Sequence, residues 1–270
     1  MALARRWSAL VVLVVGVLLY LAVRQTIVDT GNPKLLPALM LLGASVVPVA
    51  AVVLVGGRRL PLGVGATTVV LTGLVGGVVG TVTAAVLEFD VRRDLGALPL
   101  FGVGLVEEAA KLIAPVVVLL LVGARHRADG LLLGVASGAG FAALETMGFA
   151  LVVLVQSGGD LGSVDEVLAL RGVTSPAAHM AWTGLTAAAL WHAAAHRRRP
   201  RAWAGLAATY LAVAGLHALW DGTGSDVVRG ALAVVALAAV LVVAHDLAGD
   251  RRGPRAPSGA PLTTAAGPRR

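Results

Sequence analysis

The sequence predicts an all-α protein, a polytopic transmembrane helix bundle of about eight spans with both termini cytoplasmic. Three observations carry that prediction. The 270 residues are 57% hydrophobic and 14% charged, with a mean hydropathy of +0.86, whereas a soluble domain is about half apolar and about a quarter charged. Eight windows hold nearly enough apolar residues to cross a bilayer, which takes about 20. The basic residues alternate in density from one connector to the next. With the N-terminus placed in the cytoplasm, 15 of the 22 Lys and Arg fall in cytoplasmic connectors and tails, 6 fall outside, and Lys111 lies in a helix. A miscounted helix would scramble that alternation.

The predicted spans are roughly 7–23, 35–55, 66–87, 98–122, 131–155, 176–195, 202–220 and 230–247. The first follows Arg5 and Arg6 but has a longer apolar run than a signal peptide and no small-x-small cleavage site, so it reads as a retained membrane helix. Span three carries Gly73, Gly76, Gly77 and Gly80, and span five carries Gly134 and Gly138. Small residues four apart let helix backbones approach closely, so these read as packing seams. The longest connector is read at about 156–175, and residues 248–270 as a disordered, basic cytoplasmic tail. Residues 1–247 form a single transmembrane domain on this reading.

The net charge of +7 would suit nucleic acid, but the arginines sit in short clusters between apolar runs, as membrane orientation requires, and no nucleic-acid partner is expected. The chain has no cysteine. That excludes disulfides, thiolate metal sites and a cysteine nucleophile.

Three acidic residues, Glu107, Glu108 and Glu145, lie well inside predicted spans. Charges at that depth cost at least ~2.5–3.5 kcal/mol each, so they face a bundle interior or a wet cavity and mark function. Helix rise places Glu107, Glu108 and Glu145 about 10–15 Å below the outer boundary, and His179 and His217 about 5 Å below it. Five polar residues from four spans thus gather in one half of the membrane. Lys111 sits about 40° from Glu107 and about 60° from Glu108 around the helix, so one ammonium can neighbour both. His217 and Asp221 are i, i+4 on one face, which lets the aspartate orient the imidazole. A carboxylate held between burial and a nearby cation suits a general base.

The chemistry is narrowed by elimination. No histidine is followed by glutamate, so HExxH is absent; GxSG and GxGD are absent as well. Glu107, Glu108, Lys111, Glu145, His217 and Asp221 are therefore the candidate catalytic residues, and His179, His217 and Glu145 the candidate metal ligands. Two imidazoles with carboxylates suit Zn²⁺, while a metal-free glutamate mechanism uses the same residues. The rival reading is an ion- or proton-coupled transporter. It expects ionisable groups spread across both membrane halves and an internal repeat.

"EEAAK" at 107–111, "FAALE" at 141–145 and "HALWD" at 217–221 follow the patterns EExxK, FxxxE and HxxxD in order on separate spans. This set resembles the PrsW-type intramembrane proteases, distant relatives of the CAAX prenyl proteases, over a motif-bearing core of about 98–225. The CAAX-type relatives carry FxxxH and HxxxN, so Glu145 and Asp221 favour the PrsW-like assignment. The resemblance implies a cell-membrane peptidase acting near the outer face of the bilayer. The implied substrate is a membrane-bound protein, anti-sigma-factor-like, in a site-1-type cut.

Overall fold

The computed structural model describes residues 2–95 and 99–249. Among them there is no strand. Nine helices follow in order: α1 (Ala2–Thr30), α2 (Leu36–Gly56), α3 (Ala66–Leu95), α4 (Leu100–Lys111), α5 (Ile113–Val122), α6 (Arg127–Gln156), α7 (Leu161–Ala195), α8 (Pro200–Gly222) and α9 (Asp226–Gly249). A 3₁₀ turn, Pro33–Leu35, leads into α2. Six segments, along α1, α2, α3, α6, α8 and α9, are long and apolar enough to cross a membrane. Large apolar side chains such as Leu120, Leu121, Val227 and Val234 are exposed around the bundle, as lipid contact demands and water would not favour. The chain is a multi-pass membrane protein.

Two expectations about elements differ from the structure. The predicted span 98–122 is broken at Leu112 into α4 and α5. Pro115 causes the break: it has no N–H to give the Lys111 carbonyl, and its ring crowds that oxygen. The freed Lys111 carbonyl accepts a hydrogen bond from Ser137 Oγ on α6 at 2.6 Å. The chain tightens locally, with Leu112 N–H turning back to the Ala109 carbonyl. The start of the span, residue 98, lies outside the described residues.

The expected long connector at 156–175 is mostly helix. Only 157–160 separates α6 from α7, and Asp160 caps α7 by accepting from the Gly162 and Ser163 N–H groups. Pro176, taken from sequence as a helix start, sits inside α7. At 35 residues, α7 is about 52 Å long, well beyond the ~30 Å hydrocarbon core. Its first half leans on α1 and α2. Asp165 accepts from Tyr20 Oη at 2.6 Å and pairs with Arg24 at 2.5 Å, and Gly172 meets the Gly43 backbone. The expected basic tail lies, from residue 250 onward, outside the described residues.

The core runs along α6 and α7, with Leu131, Leu133, Trp182 and Trp191 fully buried. Lipid tails are as apolar as leucine, so helix association here rests on close packing. The glycine seams expected from sequence supply it. Gly73 and Gly77 of α3 fit against Ala136 and Gly140 of α6, and Gly134 of α6 fits against Thr183 of α7. Two other close approaches set the positions of functional residues. A methyl group on Gly138 would stand 2.6 Å from the His179 carbonyl, and one on Gly104 would stand 2.6 Å from the Ala214 carbonyl and 3.2 Å from His217 Cβ. Only glycine admits these distances.

Candidate active site

α4, α6, α7 and α8 bring their ionisable residues to one place. Lys111 is at the centre, fully buried. Its Nζ lies 2.7 Å from Glu108 Oε1 and 3.1 Å from Glu107 Oε2. It also lies 2.9 Å from His179 Nδ1 and 4.2 Å from the centroid of the Phe141 ring. A buried cation is tolerable only when paired, and here it is paired with carboxylates, an imidazole and a π face. The spacing predicted that Lys111 could neighbour both glutamates. It does.

His217 Nδ1 is 2.8 Å from Glu108 Oε1. A carboxylate only accepts, so Nδ1 carries a hydrogen, and Nε2 is left to face the remaining acids. That Nε2 lies 3.4 Å from Glu107 Oε2 and 3.4 Å from Asp221 Oδ2. Asp221 does share a face with His217, but Glu108 makes the closer, orienting contact. Lys111, an ammonium with donors only, makes Nδ1 of His179 the acceptor. The ring hydrogen of His179 then sits on Nε2, 3.3 Å from Glu145 Oε2.

The two imidazole rings lie 5.2 Å apart between centroids. Trp182 stands 5.4 Å from each, and Trp220 is 6.4 Å from His179. These buried indoles wall the site. Tyr210 on α8 donates to the Leu105 carbonyl of α4 at 2.6 Å, which holds together the two helices that carry Glu107 and His217. Glu108, Lys111, His179 and His217 are closed off, whereas Glu107, Glu145 and Asp221 retain 13%, 21% and 30% side-chain exposure. The opening lies on the side of these three acids.

Arg171 entered the sequence reading only as one of the six basic residues counted on the outer side. It places Nη2 2.9 Å from Glu145 Oε2 and its guanidinium 3.8 Å from the Phe149 ring centroid. Ser175 Oγ lies 3.5 Å from the same carboxylate oxygen. The signal was present: Arg171, Ser175 and His179 are spaced i, i+4, i+8 and share one face if the helix continues through Pro176. Reading Pro176 as a start concealed it.

The donor atoms of Glu107, His179 and His217 all lie within 4.8 Å of one another, a group able to hold a metal ion. Glu107 Oε2 has its ion pair with Lys111 but no hydrogen bond, His179 Nε2 likewise faces Glu145 without one, and His217 Nε2 lies 3.4 Å from Glu107 Oε2. The residues therefore fit a divalent cation, with one condition. His179 can offer Nε2 only when its hydrogen moves to Nδ1 and Lys111 turns away. Sequence reasoning expected Glu145 in this group, but the structure sets it beside His179, against Arg171, and brings in Glu107.

No curated protein and no solved structure matches the chain. The sequence model of one family, described as PrsW family intramembrane metalloprotease, matches residues 31–245, which takes in all three motifs and every residue of the cluster. That match covers most of the protein, and the chain belongs to the PrsW family of intramembrane metalloproteases.

Proposed function

We propose that this intramembrane protease hydrolyses a peptide bond of a single-span, anti-sigma-factor-like membrane protein near the outer face of the cell membrane. On this reading the fold has eight spans, with α4 and α5 sharing one and both termini in the cytoplasm, within a single catalytic domain over 1–247. The observation that carries it is the approach of Glu107, His179 and His217 from three helices to within 4.8 Å of one another.

Glu107 is the water-activating residue. Glu108 is closed off and committed to Lys111 and His217, and Glu145 is paired with Arg171, whereas Glu107 keeps 13% exposure and has Lys111 as its one cationic partner at 3.1 Å. Glu107 removes a proton as the water oxygen bonds to the scissile carbonyl carbon. The carbonyl electron pair moves onto oxygen. When it returns, the C–N bond breaks and the proton held by Glu107 passes to the departing nitrogen, leaving an amine and a carboxylic acid, which then ionises. Lys111 offsets the charge of Glu107 and Glu108, and Glu108 keeps His217 turned toward the reacting atoms. Asp221 and Glu145 steady His217 and His179 at the opening. His179 and His217 would hold a bound Zn²⁺ beside Glu107, and the ion would acidify water and polarise the carbonyl.

The test is cleavage of candidate single-span substrates in liposomes, with and without chelator. Wild type yields a product cut near the outer interface, His217→Ala yields none, and chelator abolishes cleavage if zinc is required. Full turnover by His217→Ala would overturn the assignment. A substrate carried across intact, with no product, would support a transporter instead.

A further inference from the structure

α8 packs on the bundle through only half its length. Val213, Ala214, His217 and Trp220 are buried, whereas no residue from Arg201 to Ala212 is. The unpacked half leaves a cavity of about 860 Å³ between α8 and the ends of α6 and α7, in the range of small-molecule sites, about 300–1,000 Å³. Arg127, Arg198, Arg199 and Arg201 line it together with His192 and the α8 residues Leu206 and Thr209. His192 follows His179 by about 13 residues of α7, so the cavity lies about 20 Å from the acidic cluster, at the other end of the bundle.

Three features bear on what fills it. Among the described residues no carboxylate pairs with these four arginines. The acid nearest in sequence, Asp129, is buried and accepts from the Gly63 and Val64 N–H groups instead. α6 and α8 both begin here without a side-chain cap, which adds the positive ends of two helix dipoles to the arginines. Trp203, half exposed and bonded through Nε1 to the Arg197 carbonyl at 3.2 Å, marks headgroup depth, where tryptophan concentrates. A cavity at that depth, lined both by arginines and by apolar helix surface, matches an amphiphile with an anionic head.

We propose that this wedge is a binding site for an anionic phospholipid, its phosphate among Arg127, Arg199 and Arg201 and one acyl chain along Leu206 and Thr209. The site is independent of the hydrolytic assignment. Basic pockets between membrane helices hold such headgroups elsewhere, and here the lipid also fills the gap under the helix that carries His217.

Native mass spectrometry of the full chain, with phosphatidylglycerol against phosphatidylcholine in mixed micelles, tests it. Wild type retains phosphatidylglycerol about tenfold over phosphatidylcholine. The preference falls about tenfold in Arg199→Gln/Arg201→Gln and is unchanged in Arg58→Gln/Arg59→Gln, a basic pair that does not line the cavity. Equal loss in both variants would reduce the effect to a generally basic face and overturn the site. Displacement of the lipid by inorganic phosphate would overturn it in favour of a soluble phosphate ligand. Should the pocket variant not fold, photoactivatable phosphatidylglycerol on wild type still decides: crosslinks confined to 127, 189–192 and 198–209 support the wedge, and crosslinks spread around the apolar belt overturn it.

Discussion

Glu108 shows how one side chain can be both structural and functional. Its carboxylate accepts from Lys111 and from His217, each within 2.8 Å, at a site closed to solvent. Glu108→Gln removes the negative charge from a buried pair and costs about 3–5 kcal/mol, read as a lowered midpoint of thermal unfolding. Arg171 stands farther from the reacting atoms and is partly exposed, so Arg171→Gln leaves the fold intact. It releases Glu145, and activity falls about 10–100-fold, as for other residues that orient ligands, with partial recovery in Arg171→Lys. Unchanged turnover in Arg171→Gln would show that Glu145 needs no partner. At this scale the sequence was informative about which charges are buried, because isolated acids in apolar spans are costly. It was informative about pairing within a helix, as for Lys111 with both glutamates, but not between helices, and the closest partners of Glu145 and His217 come from other helices.

The helices explain why. Burial depth follows from rise per residue, so the gathering of Glu107, Glu145, His179 and His217 could be read from span positions. The break between α4 and α5 could not, because its consequence depends on Ser137 arriving from α6 to take the Lys111 carbonyl. Pro115→Ala restores an N–H that competes for that carbonyl and straightens the segment. The expected result is new hydrogen-exchange protection at residue 115 and reduced turnover, with little loss of thermal stability. The extension of α7 was hidden because Pro176 reads locally as a boundary, whereas packing on α1 and α2 carries the helix through it. Its cap gives a pH prediction. The Asp160 carboxyl is held below the usual aspartate range by hydrogen bonds from the Ser163 hydroxyl and from the Ser163 and Gly162 N–H groups. A depressed pKa means the cap contributes at neutral pH and is lost as pH falls through the folded value. Hydrogen exchange at Gly162–Val164 therefore accelerates, relative to mid-helix amides, only below the ordinary aspartate range. Asp160→Ala shows the same fraying at neutral pH.

Across the whole molecule, glycine seams bring α3 onto α6, α6 onto α7 and α4 onto α8, and the last two place the histidines. The packing and the chemistry are thus set by the same contacts. The all-helical, membrane-spanning architecture was legible because hydropathy is a property of single helices, and the motif order pointed to the family that the sequence match then showed. The central claim is that Glu107 activates the attacking water in a site assembled from four helices. Turnover of Glu107→Gln in liposomes, beside wild type of equal thermal stability, tests it most directly. A fall of at least about 10²–10⁴-fold is expected from loss of the proton acceptor. Full turnover in the folded variant would contradict it.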